Sequence, residues 1–445
     1  MRSLLIVFYC LVSALTIKAN GQDRLWKIQT TDYHGTYYGA TVANGGIGIL
    51  PWKEPFSIRH VMLNHVFDSA TPQDVSRVLR GINPFNLQMQ INGQTVNGDN
   101  ISGWEQCIDM KEATHNTHFI CDGKADVSYS ICALRNLPYA GLVRVEVTAL
   151  GDMYLTVSNP IEVPDEYKNI GSKLVNVNVN GNDIKIVRTW ALSKHREQKV
   201  SASSAFIYDK NSNVQQQYNG NGQISIPLKK GEKFFFTLLG AVCTGRDFID
   251  PYNEADREVI YGAKEGLARL MDGHQKLWDE MWKGDIVIEG DDEAQRAVRF
   301  ALYNLYSNAR KGSRLSIPPF GLSSQGYNGH IFWDTEFWMY PPMLFMNQGI
   351  ARTMMDYRTD RLEAACQKAL SYGYDGAMFP WESDDAGEEA CPTWALTGPF
   401  EHHITADIAI AAWNYYCMSG DQRWLREEGF PLMEKVAEFW VSRVE

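Results

Sequence analysis

The chain has 445 residues, enough for about two or three domains with large apolar cores. Apolar residues make up 44% of it and charged residues 21%, which is typical of a globular protein. The net charge is −11 and no basic run exceeds a pair such as Lys229-Lys230, so the clustered basic footprint of a nucleic-acid-binding protein is missing. This charge balance fits an uncharged ligand.

The first 21 residues have the pattern of a secretory signal peptide. Arg2 supplies the positive end, an apolar run extends from Leu4 to Ile17, and Ala19-Asn20-Gly21 offers small residues for cleavage. The run is shorter than the ~20 residues of a membrane span. We therefore expect an exported protein, periplasmic or extracellular, without membrane contact after cleavage. Tethering through an uncleaved signal is the weaker alternative.

The cysteine pattern argues against a zinc or redox site. Eight cysteines include Cys10 in the signal segment, so seven remain, and none belongs to a C-x-x-C pair. Cys107, Cys121 and Cys132 lie close together in sequence, and an exported protein could form one disulfide among them. We expect most of the seven to be buried as small hydrophobic residues.

Residues 22–250 are predicted to form an antiparallel β-sandwich. The stretch from Leu142 to Leu150 alternates apolar and polar residues with the period of a strand. Residues Leu174 to Val187 read as a hairpin with Asn180-Gly181 in its turn, and Asn92-Gly93 marks another turn. Many short strands with Gly and Asn turns favour a sandwich. The absence of a fixed sequence repeat disfavours a propeller.

Residues 251–290 are predicted to form a helical linker. Either Asn253 or Asp256 could cap a helix that runs through Trp282 and is ended by Gly284. The run from Asp285 to Glu289 resembles a short strand.

Residues 291–445 are predicted to be helical. Apolar stripes of helical period indicate helices at Glu293–Tyr306, Ile350–Tyr372 and Thr405–Met418, and from Pro431 onward. Helices that alternate with long loops suit a toroid with a ligand pocket at one end. The final stretch shows no helix stop signal, and a twelve-helix toroid needs about twice this length. We therefore expect only about the first half of the toroid in this chain.

Two loop segments combine tryptophans with carboxylates. They are GHIFWDTEFWMYPP, from Gly329 to Pro342, and FPWESDDAGEEACPTW, from Phe379 to Trp394. An aromatic ring can cover the apolar face of a pyranose while carboxylates accept its hydroxyl hydrogens. The segments therefore predict a sugar site. The alternative is a tryptophan-rich core whose acids, Asp334 among them, are helix caps or loop residues.

The acids of these segments allow further predictions. Taken alone, Asp334 and Glu382 could be the acid and base of an inverting hydrolase, which needs two carboxyl groups about 6.5–9.5 Å apart. The second segment continues with four more acids, and we expect most of them to be solvated. These are Asp384, Asp385, Glu388 and Glu389.

His402 and His403 are the remaining metal-ligand candidates. Adjacent residues of a helix point to different faces, so we expect no metal there.

Several stretches resemble, in order, the motifs of glycoside hydrolase family 65, whose members are hydrolases and phosphorylases of α-glucosides such as maltose, kojibiose and trehalose. They are Asn44–Gly48, the linker sequence DIVIEGDDEAQRAVRFALYNL from Asp285, GHIFWDTE from Gly329, Tyr357-Arg358, GAMFPWES from Gly376, and HITADIA from His403. The resemblance covers most of the mature chain. It implies an N-terminal β-sandwich, a helical linker and an (α/α)6 barrel.

The same resemblance implies roles for five residues. Trp333 and Asp334 match residues that hold the glucose whose bond is broken. Trp381, Glu382 and Thr405 match residues that line this glucose and the leaving-group sugar.

Other positions receive weaker assignments. Glu336 has a supporting role, and Phe332 and His403 are secondary candidates. The family's proton-donating Glu, and the base of its hydrolases, lie in later motifs. The catalytic residues are therefore unknown and are expected beyond Glu445.

The resemblance leaves a choice of reaction. An exported enzyme would lose the sugar phosphate that phosphorolysis conserves, so we expect inverting hydrolysis of small α-linked glucosides of the kojibiose type, with release of glucose. The alternatives are an inverting disaccharide phosphorylase and a non-catalytic carbohydrate-binding protein. No metal, nucleotide or organic cofactor is implied, and the resemblance allows a homodimer.

Overall fold

The computed structural model describes residues 23–69, 75–179, 181–209 and 212–444. Strands occupy the first part of the chain and helices the second, and the change lies between Thr244 and Pro251. The predicted signal peptide, residues 1–21, lies outside the described residues. Among the helices that are described, none combines the length and the apolar character that a membrane-spanning segment requires.

The strands of the N-terminal part pair in antiparallel fashion throughout the described residues. Their bounds are β1 Lys27–Thr30, β2 Val42–Ala43, β3 Ile47–Pro51, β4 Ile58–Ser69, β5 Ser76–Gly81, β6 Gln88–Ile91, β7 Gln94–Thr95, β8 Ile101–Asp109, β9 Thr114–Cys121, β10 Ala125–Ala133, β11 Ala140–Ala149, β12 Met153–Asn159, β13 Tyr167–Val179, β14 Asn182–Ser193, β15 Lys199–Tyr208, β16 Gln215–Tyr218, β17 Gly222–Leu228 and β18 Lys233–Thr244.

These strands build three sheets around a shared core. The largest has the order β1-β8-β9-β10-β11-β18-β15-β14-β13, the second β16-β17-β12-β6-β7, and the third β2-β3-β4-β5. One apolar cluster contains Val145 of the first sheet, Leu155 of the second and Val61 of the third. The predicted antiparallel sandwich is confirmed.

The sequence signals for single strands and turns are also confirmed. In β11, Val143, Val145 and Val147 are buried while the residues between them are more exposed, as period-2 alternation requires. Strands β13 and β14 form the predicted hairpin, with Val179 opposite Asn182; Asn180 of its turn lies outside the described residues.

The first linker helix begins a few residues before the predicted caps, and the linker contains a break. Helix α1 spans Pro251–Glu265 and α2 spans Leu267–Met281, separated by Gly266 at φ 82°. The helix cap is Asp250, which accepts a hydrogen bond from the backbone N–H of Asn253. The predicted caps at Asn253 and Asp256 are therefore wrong. Asp256 is instead buried and paired with an arginine of β14.

The predicted strand from Asp285 to Glu289 is wrong as well. No described strand covers it, because a side chain satisfies its backbone groups. Gln295 donates Nε2–H to the carbonyl of Ile286 at 2.9 Å, and its Oε1 accepts from the N–H of Ile288 at 2.6 Å. These bonds hold the run against the next helix.

The helical part confirms three of the predicted helices to within a few residues. The predicted helix Ile350–Tyr372 is divided at Asp360-Arg361, and the break lets Arg361 donate to the carbonyl of Asp385 at 2.8 Å. The helices are α3 Asp292–Asn308, α4 Tyr340–Met346, α5 Gln348–Thr359, α6 Leu362–Ser371, α7 Thr397–Phe400, α8 His403–Ser419, α9 Gln422–Trp424 and α10 Phe430–Arg443. Single π-helical turns lie at Thr335–Met339 and Leu425–Gly429.

The sandwich contacts the helical part directly. Tyr303 of α3 donates its hydroxyl to the carbonyl of Thr41 at 3.0 Å, and Gln325 donates to the carbonyl of Val78 in β5 at 2.7 Å. The main apolar cluster is continuous across both parts. Strands β4 and β5 are thereby held beside the loops that carry the tryptophan-acid segments.

Candidate functional site

The two tryptophan-acid segments lie side by side. An isolated antiparallel bridge joins Ile331 to Ser383 through two backbone hydrogen bonds of 2.9 Å. Tyr357 of α5 supports the bridge, because its hydroxyl lies 2.8 Å from Ser383 Oγ and 2.7 Å from the carbonyl of Asp384. Segments that are distant in sequence therefore present their side chains together.

The first segment enters the site through a run of left-handed backbone. Tyr327, Asn328 and Gly329 have φ of 48°, 55° and 75°, a conformation that is costly for residues with a Cβ. A Cβ on Gly329 would lie 2.4 Å from Val78 Cγ1, so only glycine fits this close approach to β5. The turn directs His330 into the boundary with the sandwich.

Asp334 stands at the start of the π-helical turn without acting as a cap. Its backbone is already helical, with φ −49° and ψ −35°, and its side chain makes no capping hydrogen bond. Within residues 23–444, no described side chain or backbone N–H binds its half-buried carboxylate. The capping alternative fails for this residue, and the carboxylate is free to accept hydrogen bonds from a ligand. Single π-helical turns are frequent at functional sites.

Glu336, two residues later, is fully engaged by the protein. Arg358 of α5 donates to its two carboxylate oxygens at 2.7 and 2.8 Å, and both side chains are about 1% exposed. Burial raises the pKa of the Glu336 carboxyl, although the Arg358 charge opposes the shift. Arg358 also donates to the carbonyl of Phe332 at 3.2 Å. This pair holds the π-helical turn from behind; the supporting role of Glu336 in the site stays a prediction.

Three aromatic rings form a cluster, and one of them belongs to Trp333, the residue before Asp334. The ring centroid of His403 lies 5.0 Å from that of Trp333 and 5.3 Å from that of Trp381, in edge-to-face geometry. The two tryptophan rings are 6.5 Å apart. Asp407 fixes the imidazole, with Oδ2 2.8 Å from Nδ1. His403, a secondary candidate, thus sits between the two tryptophans.

Glu382 is held by a buried histidine. Its Oε2 lies 2.8 Å from Nδ1 of His330, whose side chain is 0% exposed. The other ring nitrogen of His330 is 2.8 Å from the carbonyl oxygen of Ser76 in β5. The N-terminal domain therefore takes part in fixing a carboxylate of the helical domain.

Glu389 organises the loop that carries Trp381 and Glu382. Its carboxylate accepts from the backbone N–H groups of Trp381, Glu382 and Cys391 at 2.8, 3.0 and 3.2 Å. Lys368 of α6 lies 2.5 Å from the same carboxylate. Burial lowers the pKa of the Lys368 ammonium group, while Glu389 opposes the shift. The Glu389 side chain therefore fixes the backbone conformation of the loop that carries Trp381 and Glu382.

Family models match almost the whole described chain. The N-terminal domain of glycosyl hydrolase family 65 matches residues 39–281, and the central catalytic domain of the same family matches residues 299–445. The chain belongs to glycosyl hydrolase family 65. The resemblance noted in the sequence is thereby confirmed.

Two curated relatives in family 65 are similar over most of this chain. A kojibiose hydrolase from Flavobacterium johnsoniae is 41% identical over 417 residues, which are 92% of this chain and 61% of that protein. A kojibiose hydrolase from Mucilaginibacter mallensis is 37% identical over 443 residues, 98% of this chain and 65% of that protein. The chain therefore spans less than two-thirds of the length of either relative.

A solved structure confirms the predicted fold class. It is provisionally described as a kojibiose phosphorylase from the human microbiome, and it superposes with a TM-score of 0.78 at 16% identity, over 94% of this chain and 59% of that one. The family 65 fold expected from the sequence, a β-sandwich followed by a linker and an (α/α)6-type helical domain, agrees with the elements observed.

Two of the predicted site residues, Thr405 and the secondary candidate Phe332, are buried. Thr405 of α8 is 0% exposed, and its Oγ1 accepts from the backbone N–H of Phe379 at 3.0 Å. Phe332 is buried and packs edge-to-face on Tyr327 at 5.2 Å. The structure therefore brings the rings of Trp333, Trp381 and His403 together. Asp334 and Glu382 each follow one of the two tryptophans along the chain, while Thr405, Phe332 and Glu336 are buried.

The acids of the second segment are less solvated than predicted. Of the four, Glu388 alone is exposed, Asp385 and Glu389 are half-buried, and Asp384 is buried. Asp384 Oδ2 accepts from Ser76 Oγ at 3.0 Å and lies 3.4 Å from Arg196 of the sandwich. The prediction failed because these partners come from another domain.

Sequence reasoning missed the contributions of His330, Ser76 and Arg196. His330 lies inside the first segment, three residues before Trp333, and a histidine within this motif was the available signal. For Ser76 and Arg196 the sequence carries no signal, because both lie in the sandwich, more than a hundred residues before the segments they contact.

The remaining candidates for metal binding or disulfide formation are histidines with other hydrogen-bond partners and, within the described residues, cysteines that are not paired. His402 accepts from Arg443 Nε at 2.8 Å and bonds the carbonyl of Pro399, so it points away from His403. Groups of three metal-ligating side chains do not occur among the residues described. The seven cysteines of residues 23–444 are free thiols, including the three that could have formed a disulfide, and four of the seven are buried.

Proposed function

We propose that the protein carrying this chain hydrolyses α-glucosidic bonds in small α-linked glucosides, with inversion and release of glucose. An α-1,2-linked disaccharide of the kojibiose type is the first candidate substrate. The observation that carries the proposal is the likeness to two kojibiose hydrolases over 92% and 98% of this chain.

The site geometry supports sugar binding. The rings of Trp333, Trp381 and His403 offer apolar surface for the face of a pyranose, and Asp334 offers an acceptor with no protein partner in the described chain. Glu382 is the second acceptor, next to Trp381 along the chain. We assign these residues to binding and orientation, so that the cleaved glucose contacts Asp334 and the leaving-group sugar contacts Glu382.

Two alternatives remain as competing proposals. An inverting phosphorylase would use the same binding residues with a phosphate in place of the attacking water. A carbohydrate-binding protein without catalysis would use them without any reaction. Hydrolysis is preferred because the relatives from Flavobacterium johnsoniae and Mucilaginibacter mallensis are both hydrolases.

The test uses the whole protein and a panel of glucose disaccharides, with and without phosphate. We expect free glucose whose rate does not depend on phosphate, fastest from the α-1,2 linkage, with the β-anomer formed first in an NMR time course. Formation of glucose phosphate would show that the reaction is phosphorolysis and not hydrolysis. Binding of a disaccharide without any product would leave the non-catalytic alternative.

We also propose that the protein is exported. The charged start and the apolar run of residues 2–17 support this. Sequencing of the mature N-terminus from a fractionated culture should begin close to Gly21, in the periplasmic or secreted fraction. A cytoplasmic protein that retains Met1 or Arg2 would contradict export.

A further inference from the structure

His330 connects the N-terminal domain to the candidate sugar site. It is fully buried, and its ring stacks on Phe67 of β4 with centroids 5.7 Å apart and planes at 11°. Nε2 contacts Ser76 of β5, with the carbonyl at 2.8 Å and the hydroxyl at 3.2 Å, and Nδ1 contacts the carboxylate of Glu382 in the helical domain. A buried side chain held in this way has little freedom to rotate.

The hydrogen-bond chemistry fixes which atoms carry protons. A carbonyl oxygen can only accept, so the 2.8 Å contact with Ser76 places a hydrogen on Nε2 of His330. The proton shared by Nδ1 and Glu382 Oε2 then lies between a ring nitrogen and a carboxyl oxygen, whichever atom it is nearer. Whether the proton lies nearer the nitrogen or the oxygen, Oε2 of Glu382 is hydrogen-bonded to His330.

The other oxygen of Glu382 is left for a ligand. None of the described residues hydrogen-bonds to Oε1, and the side chain keeps 9% of its surface exposed. Glu389 fixes the backbone of Glu382 through its N–H at 3.0 Å. Backbone and side-chain contacts together therefore define the direction of one free acceptor beside Trp381.

We propose that His330 is a positioning residue that, anchored on strand β5 through Ser76, aims Glu382 at one hydroxyl of the leaving-group sugar and so determines which linkage is preferred. This rests on the proposed function. A site built to hydrogen-bond one hydroxyl discriminates against an isomer that presents it elsewhere, because the buried acceptor is then unpaired. His330 itself does not touch the substrate.

Two conservative substitutions separate the two contacts. The amide of Asn reaches the position of Nδ1, so His330→Asn keeps a donor toward Glu382. The amide of Gln reaches the position of Nε2, so His330→Gln keeps the donor toward Ser76 and loses the one toward Glu382. The measurement is the ratio of kcat/KM for α-1,2- and α-1,3-linked glucose disaccharides in the whole protein.

We expect the ratio to fall in the order wild type, Asn variant, Gln variant. The Gln variant should lose about tenfold, mainly through KM for the preferred disaccharide, since one well-oriented hydrogen bond is worth about that factor. The matched control is His274→Gln, because His274 is another buried histidine with both ring nitrogens bonded, in α2. It should cost stability without changing the ratio.

Equal ratios in all three proteins would overturn the proposal, and so would a Gln variant more selective than the Asn variant. If a variant does not fold, histidine-labelled wild-type protein is compared with Glu382→Gln by NMR. The resonance of the hydrogen shared by His330 Nδ1 and Glu382, downfield of the amide region and assigned through its coupling to the ring nitrogen, should be present in the first and lost in the second; its persistence would overturn the proposal. The Nε2–H of the same ring, which contacts Ser76, should remain in both.

The same experiments distinguish the two levels of inference. A wild-type protein that cleaves no α-glucoside would end the proposed function, and the NMR comparison would still decide whether His330 holds Glu382. If the protein is a hydrolase and its linkage ratio is unchanged in the His330 variants, the proposed function stands and the positioning role of His330 is rejected.

Discussion

The two segments of the site present their acids in different ways. In the first, Asp334 is oriented by helical backbone alone, and its carboxylate has no partner among the described residues. In the second, Glu382 is bound through Oε2 to His330 and through its N–H to Glu389. The first acid is left wholly to a ligand, whereas the second offers one aimed oxygen. Substitutions should therefore lower the overall activity at the first acid and change the linkage preference at the second.

The largest effect on activity is expected for Asp334→Asn. One acceptor oxygen is replaced by a donor where a sugar hydroxyl binds, so kcat/KM for the best disaccharide should fall by at least about a hundredfold. The thermal midpoint should not move, because no described protein group depends on the carboxylate. Glu388→Gln, at the exposed acid of the second segment, is the matched control. Near-normal turnover in the Asn variant would show that Asp334 does not bind the substrate.

The largest effect on stability is expected at the neighbouring carboxylate. Arg358→Ala leaves Glu336 charged and unpaired in the core, which should cost about 3–5 kcal/mol of unfolding free energy. The double variant Arg358→Met with Glu336→Leu should recover most of this loss, since it removes the buried charge as well. Denaturant unfolding measures both. A double variant no more stable than the single one would contradict this role of the pair.

These contrasts also show what the sequence could predict. Helix α3 followed from an apolar stripe within seventeen residues, and both site segments followed from tryptophans beside acids. Such signals are local, since the residues that make the pattern also make the contact. The local pattern does not show why Asp334 and Glu336 differ in burial and partners, because the difference is made by Arg358 in a later helix.

Long-range partners account for the other failures. Asp384 is buried because Ser76 and Arg196 arrive from the sandwich, and no periodicity in the second segment encodes them. The cap at Asp250 could have been predicted locally, because the proline at the first helical position, Pro251, makes the residue before it the cap.

The next largest effect on stability is expected at the turn that leads into the first segment and includes Gly329. Gly329→Ala forces a Cβ into left-handed backbone and against Val78, at an expected cost of about 2–4 kcal/mol. Gly373 has a similar φ of 79° with open space around it, so Gly373→Ala should cost only about 1 kcal/mol. If both variants lose the same stability, the close approach to β5 does not constrain the first segment.

The smallest effect is expected at Thr405, which supports the second segment from behind. Thr405→Val leaves the buried N–H of Phe379 without its acceptor and should cost about 1–2 kcal/mol, while Thr405→Ser should retain the bond. Because the side chain is 0% exposed, the Val variant should change kcat/KM by a similar factor for every linkage. A change confined to one disaccharide would instead mean that Thr405 contacts the leaving-group sugar, as the family resemblance implies. In that case Thr405 and Glu382 would determine the linkage preference together.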